Sequence, residues 1–220
     1  MRANQFEITD NEIFQLEALD RSDRSGNIQW AVRCKSMKYW SCSGAGNGII
    51  ADKGNSSDES THFTIEWLGR NITFKACNGR YIVVKGNGQM AATSSEAGDD
   101  SKFTFELTNR TLLILKGQYG FVGMRAGGTN IECNRSQYSP FNLEFDNGAY
   151  KMKCSNGAYW SLKGATLVAS DQAAEFFIEL RAHTHMCIQA PNGEYIKGIH
   201  SGEMVANGGS SVSTATLWEY

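Results

Sequence analysis

Repeated acidic residues are the first candidates for chemistry in this sequence. A glutamate ends a short pattern of apolar, any residue, apolar, glutamate. Copies of this pattern begin at Phe14, Phe63, Phe103, Phe141 and Phe176, and a degenerate copy closes the chain at Leu217-Trp218-Glu219. Paired carboxylates can act as general acid and base, but a glutamate that recurs in every copy is typical of a structural role on the outer face of a strand. We therefore assign no catalysis to these glutamates.

The histidines and cysteines form no catalytic motif. His183 and His185 alternate, so they share one strand face and could bind a metal, although a solvated surface pair is the commoner arrangement. None of the six cysteines forms a C-x-x-C pair or lies at zinc-ligand spacing from a histidine. Six cysteines could form three disulfides, which persist mainly in secreted proteins. The segment MRANQFEITD at the start lacks the apolar core of a signal peptide, so we expect buried, reduced thiols instead. The sequence predicts a protein that is not an enzyme and has no cofactor.

Composition excludes several other classes of protein. The 220 residues include 21 Lys and Arg and 23 Asp and Glu, for a formal net charge of −2, so we expect no nucleic-acid partner. A hydrophobic fraction of 41% is enough for a buried core and argues against disorder. No apolar run is long enough to span a bilayer as a helix, and we expect no membrane insertion.

Two patterns alternate along the chain and indicate a repeated unit. The Phe positions of the first pattern are separated by 49, 40, 38 and 35 residues. The second pattern is a turn followed by an aromatic residue, as in Asn78-Gly79-Arg80-Tyr81, Asn156-Gly157-Ala158-Tyr159 and Asn192-Gly193-Glu194-Tyr195. Two patterns in a fixed order at one period are typical of a repeated supersecondary structure.

The repeat over residues 72–107 is predicted to contain four short strands and no helix. Ile72, Phe74 and Ala76 alternate with polar residues, which indicates a half-buried strand. Asn78-Gly79 predicts a type I′ hairpin turn, and the chain holds seven Asn-Gly dipeptides in all. This density of turn signals favours an all-β fold.

Six pattern copies divide into two sets of three. Four-stranded repeats of this length occur in propeller blades and in β-trefoils, and the Gly-His and Trp-Asp signatures of blades are absent. Periodicity alone therefore favours two tandem β-trefoils, over residues 1–108 and 109–220, and leaves a propeller as the competing architecture. The aromatic residues expected to be buried in them are Phe63, Tyr81, Phe103, Phe121, Phe141 and Tyr159.

Several segments resemble the fascin family of actin-bundling proteins. They are FTIEW (63–67), QYGFVG (118–123), NRS (134–136), LEF (143–145), DNGAY (146–150), YW (159–160) and the terminal LWEY (217–220). The similarity runs nearly end to end and implies the third and fourth β-trefoils, the C-terminal half of a fascin. It further implies a cytoplasmic, monomeric protein that binds and bundles filamentous actin in the cytoskeleton of cell projections such as filopodia.

Repeat spacing indicates that the first trefoil lacks its opening hairpin. Met1 precedes Phe14 by 13 residues, and Met90, on the third strand of its repeat, precedes Phe103 by the same 13. Met1 is therefore predicted to start at a third strand. By this count the chain has 22 of 24 strands, and we expect a fragment that also lacks two N-terminal trefoils.

The resemblance implies actin binding through basic surface clusters. Carried over position by position, these clusters comprise Arg110, Lys116, Arg125 and Lys197 in the fourth trefoil and Lys75, Arg80 and Lys85 in the third. Basic residues of the family are replaced at Leu68, Asn71, His185 and Gln189, and an acidic-basic pair is replaced by Gln118 and Tyr119. We therefore expect weakened affinity. Any single lysine or arginine here could instead be a solubilising charge.

Two further functions are left open by the sequence. Many β-trefoil lectins repeat a Gln-x-Trp motif once per unit, whereas this chain has only Gln29-Trp30, without the spacer. A purely structural interaction module is the other alternative. Filament co-sedimentation separates both from actin binding, and a sugar column tests the lectin directly.

Overall fold

Antiparallel β-structure makes up the regular part of this protein. The computed structural model describes residues 1, 3, 9–23, 25–108 and 110–220, and within these the regular elements are 22 strands and three single 3₁₀ turns. The predicted all-β fold class is confirmed for the described residues. None of their helical turns is long and apolar enough to cross a membrane. The chain divides into two compact units, Met1–Phe105 and Glu106–Tyr220.

The first unit contains nine strands and all three 3₁₀ turns of the described chain. The strands are β1 (Phe14–Ser22), β2 (Ile28–Cys34), β3 (Tyr39–Gly44), β4 (Gly48–Lys53), β5 (Phe63–Leu68), β6 (Asn71–Ala76), β7 (Tyr81–Val84), β8 (Met90–Ser94) and β9 (Phe103–Thr104). The turns are Ala45–Asn47, Glu59–Thr61 and Asp99–Ser101. Strands pair in the sequence β1–β2–β5–β6–β9, and β3–β4 and β7–β8 are hairpins.

The second unit contains the other thirteen strands. They are β10 (Leu112–Leu113), β11 (Lys116–Gly117), β12 (Gly120–Met124), β13 (Ile131–Arg135), β14 (Phe141–Asp146), β15 (Ala149–Lys153), β16 (Tyr159–Lys163), β17 (Thr166–Ser170), β18 (Phe177–Leu180), β19 (His185–Gln189), β20 (Ile196–Gly198), β21 (Met204–Ala206) and β22 (Trp218–Glu219). Each repeat again supplies a hairpin, as in β12–β13, β16–β17 and β20–β21.

Strand pairing forms a closed ring in the second unit. β10 pairs with β14 and β14 with β15. Tyr150 of β15 bridges to Phe176, immediately before β18. β18 then pairs with β19, β19 with β22, and β22 with β11. Because β10 and β11 lie on one short stretch of chain, the ring is complete.

The third strands of the repeats meet one another in both units. In the second unit β17 pairs with β21, and β13 bridges to β21 through Glu132 and Glu203. In the first unit β4 pairs with β8, and the amide of Ala3 donates to the carbonyl of Gly88 at 2.7 Å. The Met1 ammonium group donates to the carbonyl of Ile49. Met1 and Ala3 therefore lie beside β4 and β8 as β13 lies beside β17 and β21.

Clusters of aromatic rings fill each core. Trp40 contacts Phe14, Phe63 and Phe74 at centroid distances of 5.0, 6.3 and 5.8 Å. In the second unit Trp160 packs between Phe141 and Phe176 at 5.0 and 5.8 Å. These edge-to-face contacts are the favoured geometry for aromatic pairs.

The predicted burial of six aromatic side chains is confirmed for three and wrong for three. Phe63, Tyr81 and Phe141 are buried. Phe103, Phe121 and Tyr159 are only half-buried. Phe103 lies on β9, which has a pairing partner on one side alone among the described strands. The Phe121 ring and the Tyr159 hydroxyl instead make contacts on the outer face of the second unit, and these are described below.

The predicted type I′ turn at Asn78-Gly79 is wrong. Gly79 has a φ of +74°, whereas Asn78 does not have a positive φ. The Gly79 amide donates to the Ala76 carbonyl at 2.8 Å, and Ala76 donates to Arg80 at 2.9 Å, so the loop is a turn closed by one left-handed residue. Asparagine is suited to this place because its Oδ1 accepts from the Arg80 amide and its Nδ2 donates to Ala92.

All six cysteines are free thiols, and their burial differs. Cys133, Cys154 and Cys187 are buried, as expected, but Cys77 is exposed. Burial raises the pKa of Cys154 to about 11, because the thiolate would lose its hydration. The expectation of reduced thiols is met, while the expectation of burial holds for half of them.

Candidate functional site

The repeated glutamates bind tyrosines from the second sequence pattern. In four repeats the tyrosine hydroxyl donates to the glutamate carboxylate. The pairs are Tyr39 with Glu17 (2.8 Å), Tyr81 with Glu66 (2.9 Å), Tyr159 with Glu144 (3.1 Å) and Tyr195 with Glu179 (2.7 Å). The cations that pair with these glutamates are, in the same order, Arg33, Lys75, Lys153 and Arg181. These four carboxylates are thus held in structural contacts, in agreement with the sequence interpretation, but Glu179 is buried and does not lie on an exposed outer face.

The most buried of these clusters contains Glu179, Arg181 and Tyr195. Arg181 donates through Nη2 to the Glu179 carboxylate and, at 2.7 Å, to the Tyr195 hydroxyl. Burial raises the pKa of Glu179, against the opposing effect of Arg181. The Glu179 carboxylate thus accepts from two donors, the Arg181 guanidinium and the Tyr195 hydroxyl, and these bonds join β18 to Tyr195, which immediately precedes β20.

A row of outward-facing side chains crosses five strands of the second unit. Opposed Cα positions join His185 to Glu219, Glu219 to Lys116, Lys116 to Phe121, and Phe121 to Arg135. Directly opposed residues of antiparallel strands point to the same face. Neighbouring residues Trp218, Leu115 and Val122 are buried, so the row lies on the outer face. We call His185, Glu219, Lys116, Phe121 and Arg135 the transverse row.

Lys116 lies at the centre of the transverse row. Its Nζ is 3.6 Å from the Glu219 carboxylate and 6.0 Å from the centre of the Phe121 ring. Phe121 also packs edge-to-face with Tyr138 at 6.2 Å, and 61% of the Tyr138 surface is exposed. The aromatic pair explains why Phe121 is not in the core: it supports a cation on one side and an exposed tyrosine on the other.

Glu132 joins Arg125 to the transverse row. Its carboxylate is 3.4 Å from Arg125 Nε and accepts from Arg135 Nη1 at 3.3 Å. Glu132 is buried, whereas 62% of the Arg125 side chain is exposed. One buried negative charge therefore holds two arginines at the surface. Arg135 was missed by sequence reasoning, because only the strand register shows that it lies opposite Phe121.

Arg110 and Lys197 are the other predicted site residues of the second unit. The Arg110 guanidinium stacks on the Tyr220 ring at 4.6 Å. Lys197 lies on β20 and has no ion pair among the described residues. A Cβ added at the adjacent Gly198 would be 3.6 Å from Cδ2 of Tyr119, so β20 passes beside the turn between β11 and β12. The strand that carries Lys197 thus adjoins the hairpin that carries Lys116.

The three predicted residues of the first unit have different surroundings. Lys75 pairs with Glu66 at 3.6 Å and lies 4.7 Å from the Tyr81 ring centre, so it belongs to a glutamate-tyrosine cluster. Arg80 donates to the Thr93 carbonyl at 3.2 Å. Lys85 is exposed in the β7–β8 loop and has no ion pair in the described part of the chain. Of these, Arg80 and Lys85 are exposed without a carboxylate partner among the described residues, so their charges are available for a partner.

Metal binding has no support in the described residues. No group of three or more His, Cys, Asp or Glu side chains among them could hold an ion. Nδ1 of His185 lies 3.1 Å from the Thr184 hydroxyl. His185 lies opposite Glu219 on the neighbouring strand. The alternating pair His183 and His185 is therefore assigned no metal.

Comparison with known proteins gives the family. The Fascin domain model matches residues 1–105 and 118–220. The chain is 36% identical over 220 residues to Fascin-2 of Bos taurus, covering 99% of this chain and 43% of that protein. It is 35% identical over 224 residues to Fascin of Strongylocentrotus purpuratus, with 97% and 42% covered, and 29% identical over 175 residues to Fascin-3 of Homo sapiens, with 78% and 35% covered.

These matches show that the chain belongs to the fascin family. The all-β architecture with its four-stranded repeats defines the class of fold, and the family match agrees with the resemblance of the sequence motifs. The chain spans less than half the length of these curated relatives.

Proposed function

We propose that this chain is an actin-filament-binding module of a fascin-type protein and that each unit is a β-trefoil. Support for the trefoil comes from the threefold repetition in each unit, with third strands that meet one another. The closed strand ring of the second unit supports it further. The first unit follows the same plan, and among its described residues β1 pairs with β2 and β9 pairs with β6. As an actin-associated module the chain would act in cytoplasmic actin bundles and cell projections, by binding and without catalysis.

The observation that carries this proposal is the basic surface around the transverse row. Lys116 and Arg135 flank Phe121, and Arg125 adjoins Arg135 through their shared partner Glu132. Lys197 and Arg110 add positive charge without a carboxylate partner among the described residues. Actin filaments are acidic, so a local cationic surface on a chain of net charge −2 would steer the association and make it depend on salt.

Filament binding is expected to be weak. Leu68, Asn71, His185 and Gln189 stand where the family has basic residues. Each lost surface charge is worth at most about 1 kcal/mol, and several together lower affinity by roughly tenfold or more. Bundling requires two filament-binding surfaces held apart, and with this reduced charge we expect little bundling from the chain alone.

High-speed co-sedimentation with filamentous actin tests binding, and low-speed co-sedimentation tests bundling. The double variant Lys197→Glu, Arg125→Glu should reduce the amount of this chain that pellets with filaments at high speed and low salt. The matched control is Lys38→Glu, Lys163→Glu, which changes the net charge equally at two exposed lysines elsewhere. The control should melt close to the unaltered protein, whereas Arg125→Glu places a second carboxylate beside Glu132 and should lower the melting temperature. Lys197→Glu alone, at a lysine with no ion pair among the described residues, therefore serves as the variant that weakens binding without this loss.

Two results would contradict the proposal. If the Lys197 and Arg125 double variant pellets with filaments as well as the control does, the basic surface is not the binding site. If the unaltered chain shows no salt-dependent pelleting at any actin concentration used, actin is not its partner. A chain that bundles as strongly as a full-length relative would contradict the expectation of weak bundling.

A further inference from the structure

Cys42 and Cys77 come from different repeats of the first unit and lie close together. Cys42 is a half-buried residue of β3, and Cys77 follows β6 directly and is exposed. Packing between the two strands brings them near one another, since the rings of Trp40 on β3 and Phe74 on β6 have centres 5.8 Å apart. Each strand thus carries one free thiol from the same aromatic cluster towards the surface.

Contacts of the flanking residues fix the positions of both cysteines. Cys42 Sγ lies 3.8 Å from the Asn47 carbonyl, and β4 begins at the next residue, where it pairs with β8. Asn78, adjacent to Cys77, donates from Nδ2 to the carbonyl of Ala92 on β8 at 3.0 Å. Because the turns beside both cysteines are attached to β8, the two thiols are held in a fixed relation to each other.

Each of the two thiols affects the ionisation of the other. Burial, followed by the charge of Cys77 and a hydrogen bond with it, raises the pKa of Cys42 to about 11. Burial also raises the pKa of Cys77, whereas hydrogen bonds from the Asn78 amide and from Cys42 lower it. A thiolate at Cys77 is thus exposed and accepts a hydrogen bond from its neighbour, so Cys77 is the thiol suited to attack first.

We propose that Cys42 and Cys77 form a reversible disulfide by exchange with a small soluble disulfide such as oxidised glutathione. The Cys77 thiolate attacks one sulfur of the small disulfide, whose S–S bond breaks, and one small thiolate leaves. Cys77 then carries a mixed disulfide. The Cys42 thiolate attacks Cys77 Sγ and expels the second small thiolate. Both protein thiols are oxidised, and the small disulfide is reduced to two thiols.

The bond would join two repeats of the first unit. A disulfide between positions far apart in sequence stabilises a fold mainly by restricting the unfolded chain. Where thiols are normally kept reduced, disulfides are transient and report the redox state. The pair is therefore a redox-dependent cross-link in the first unit, and this holds independently of actin binding.

Peptide mapping gives a direct readout of the cross-link. Trypsin places Cys42 in the peptide 39–53 and Cys77 in the peptide 76–80. The whole 220-residue chain is incubated with oxidised glutathione at about pH 8, where more thiolate is present. Remaining thiols are blocked with N-ethylmaleimide before digestion without reductant. The linked pair 39–53 and 76–80 is expected, and it should disappear when dithiothreitol is added.

Three variants test the order of the two steps. Cys42→Ser should retain at least about tenfold more glutathione on Cys77 than the unaltered chain does, because it lacks the intramolecular second attack. Cys77→Ser should form no linked pair and should take up little glutathione at Cys42. Cys34→Ser, the control at another half-buried thiol, should give as much linked pair as the unaltered chain.

Three results would overturn the proposal. The first is an unaltered chain that retains glutathione on Cys77 as Cys42→Ser does. The second is a bond from Cys77 to a second copy of the chain, seen as a dimer in non-reducing electrophoresis. The third is an equal yield of the linked pair from a chain unfolded in urea, because the fold would then not be what brings the two thiols together.

Discussion

The Tyr81 hydroxyl lies 2.9 Å from each oxygen of the Glu66 carboxylate. Glu66 ends one recurring sequence pattern and Tyr81 ends the other, so this hydrogen bond joins the two patterns in space. Lys75, on the strand between them, lies 3.6 Å from the same carboxylate. In the four repeats that hold such a pair, the contact explains why the two patterns recur in a fixed order.

Removal of the Tyr81 hydroxyl should destabilise the first unit. Tyr81→Phe keeps the buried ring but leaves Glu66 without this donor, and a hydrogen bond to a charged group contributes about 1.5–3 kcal/mol. Tyr159→Phe is the matched variant in the second unit, where the pair is longer at 3.1 Å and more exposed, so its loss should be smaller. Urea denaturation measures both. Equal losses would show that burial does not govern the strength of the pair.

Met37 occupies a position that three other repeats give to glycine. Its φ is +62°, and the corresponding φ is +74° at Gly79, +88° at Gly157 and +83° at Gly193. A side chain in this region is strained, and 59% of Met37 is exposed, so little packing would be lost. Met37→Gly should therefore stabilise the protein by about 1 kcal/mol.

Gly79→Ala is the reciprocal control for Met37→Gly. A Cβ at Gly79 meets nothing within 4 Å, so the change tests backbone strain alone, and a loss of about 1 kcal/mol is expected. Urea denaturation again gives both values. If Met37→Gly destabilises the protein while Gly79→Ala is neutral, the left-handed conformation does not control the free energy of unfolding at these two positions.

The first unit should be less stable than the second. Among the described strands, β1 and β9 each pair on one side alone, and Phe14 and Phe103 are half-buried. Such edges and partly exposed rings cost several kcal/mol on the scale of a domain stability of about 5–15 kcal/mol. Hydrogen exchange resolved by peptide should show faster exchange in β2 and β5 than in β15 and β19. Equal protection in the two units would mean that the one-sided pairing of β1 and β9 has no energetic consequence.

Asp58 should make the protein sensitive to acid between about pH 4 and pH 2. Hydrogen bonds from Ser60, with Lys53 at 3.1 Å, lower the pKa of Asp58 to about 2. The unfolded chain binds the proton near the ordinary value of about 3.9. The folded state is therefore favoured above that pH, and this contribution is lost as the pH falls through about 2.

The melting temperature tests the role of Asp58. Asp58→Asn should melt below the unaltered protein at pH 6, and the two should converge at pH 2. Asp171→Asn, the same change at another exposed aspartate, serves as the control for net charge. A difference between Asp58→Asn and the unaltered protein that is as large at pH 2 as at pH 6 would refute the assignment.

The repeats and their strand content could be predicted from sequence because they depend on local signals. Alternation of apolar residues fixes which face of a strand is buried, and Asn-Gly pairs mark turns wherever they lie. The strands predicted for residues 72–107 match β6, β7, β8 and the short β9. The turn type was missed at Asn78, because the next hydrogen bonds of the loop, and not the dipeptide, decide which residue takes a positive φ.

The surface chemistry depends on contacts between residues far apart in sequence. Lys116 and Arg125 were found through resemblance, but the sequence does not show that Glu132 holds Arg125 beside Arg135. Nor does it show that Lys75 forms an ion pair with Glu66 while Lys197 has no ion pair in the described part of the chain. Composition and spacing determined the all-β repeats of this protein, since hydrophobic alternation is local. Only the tertiary structure decided which charges are paired, because strand register brings together residues as far apart in sequence as Lys116 and Glu219.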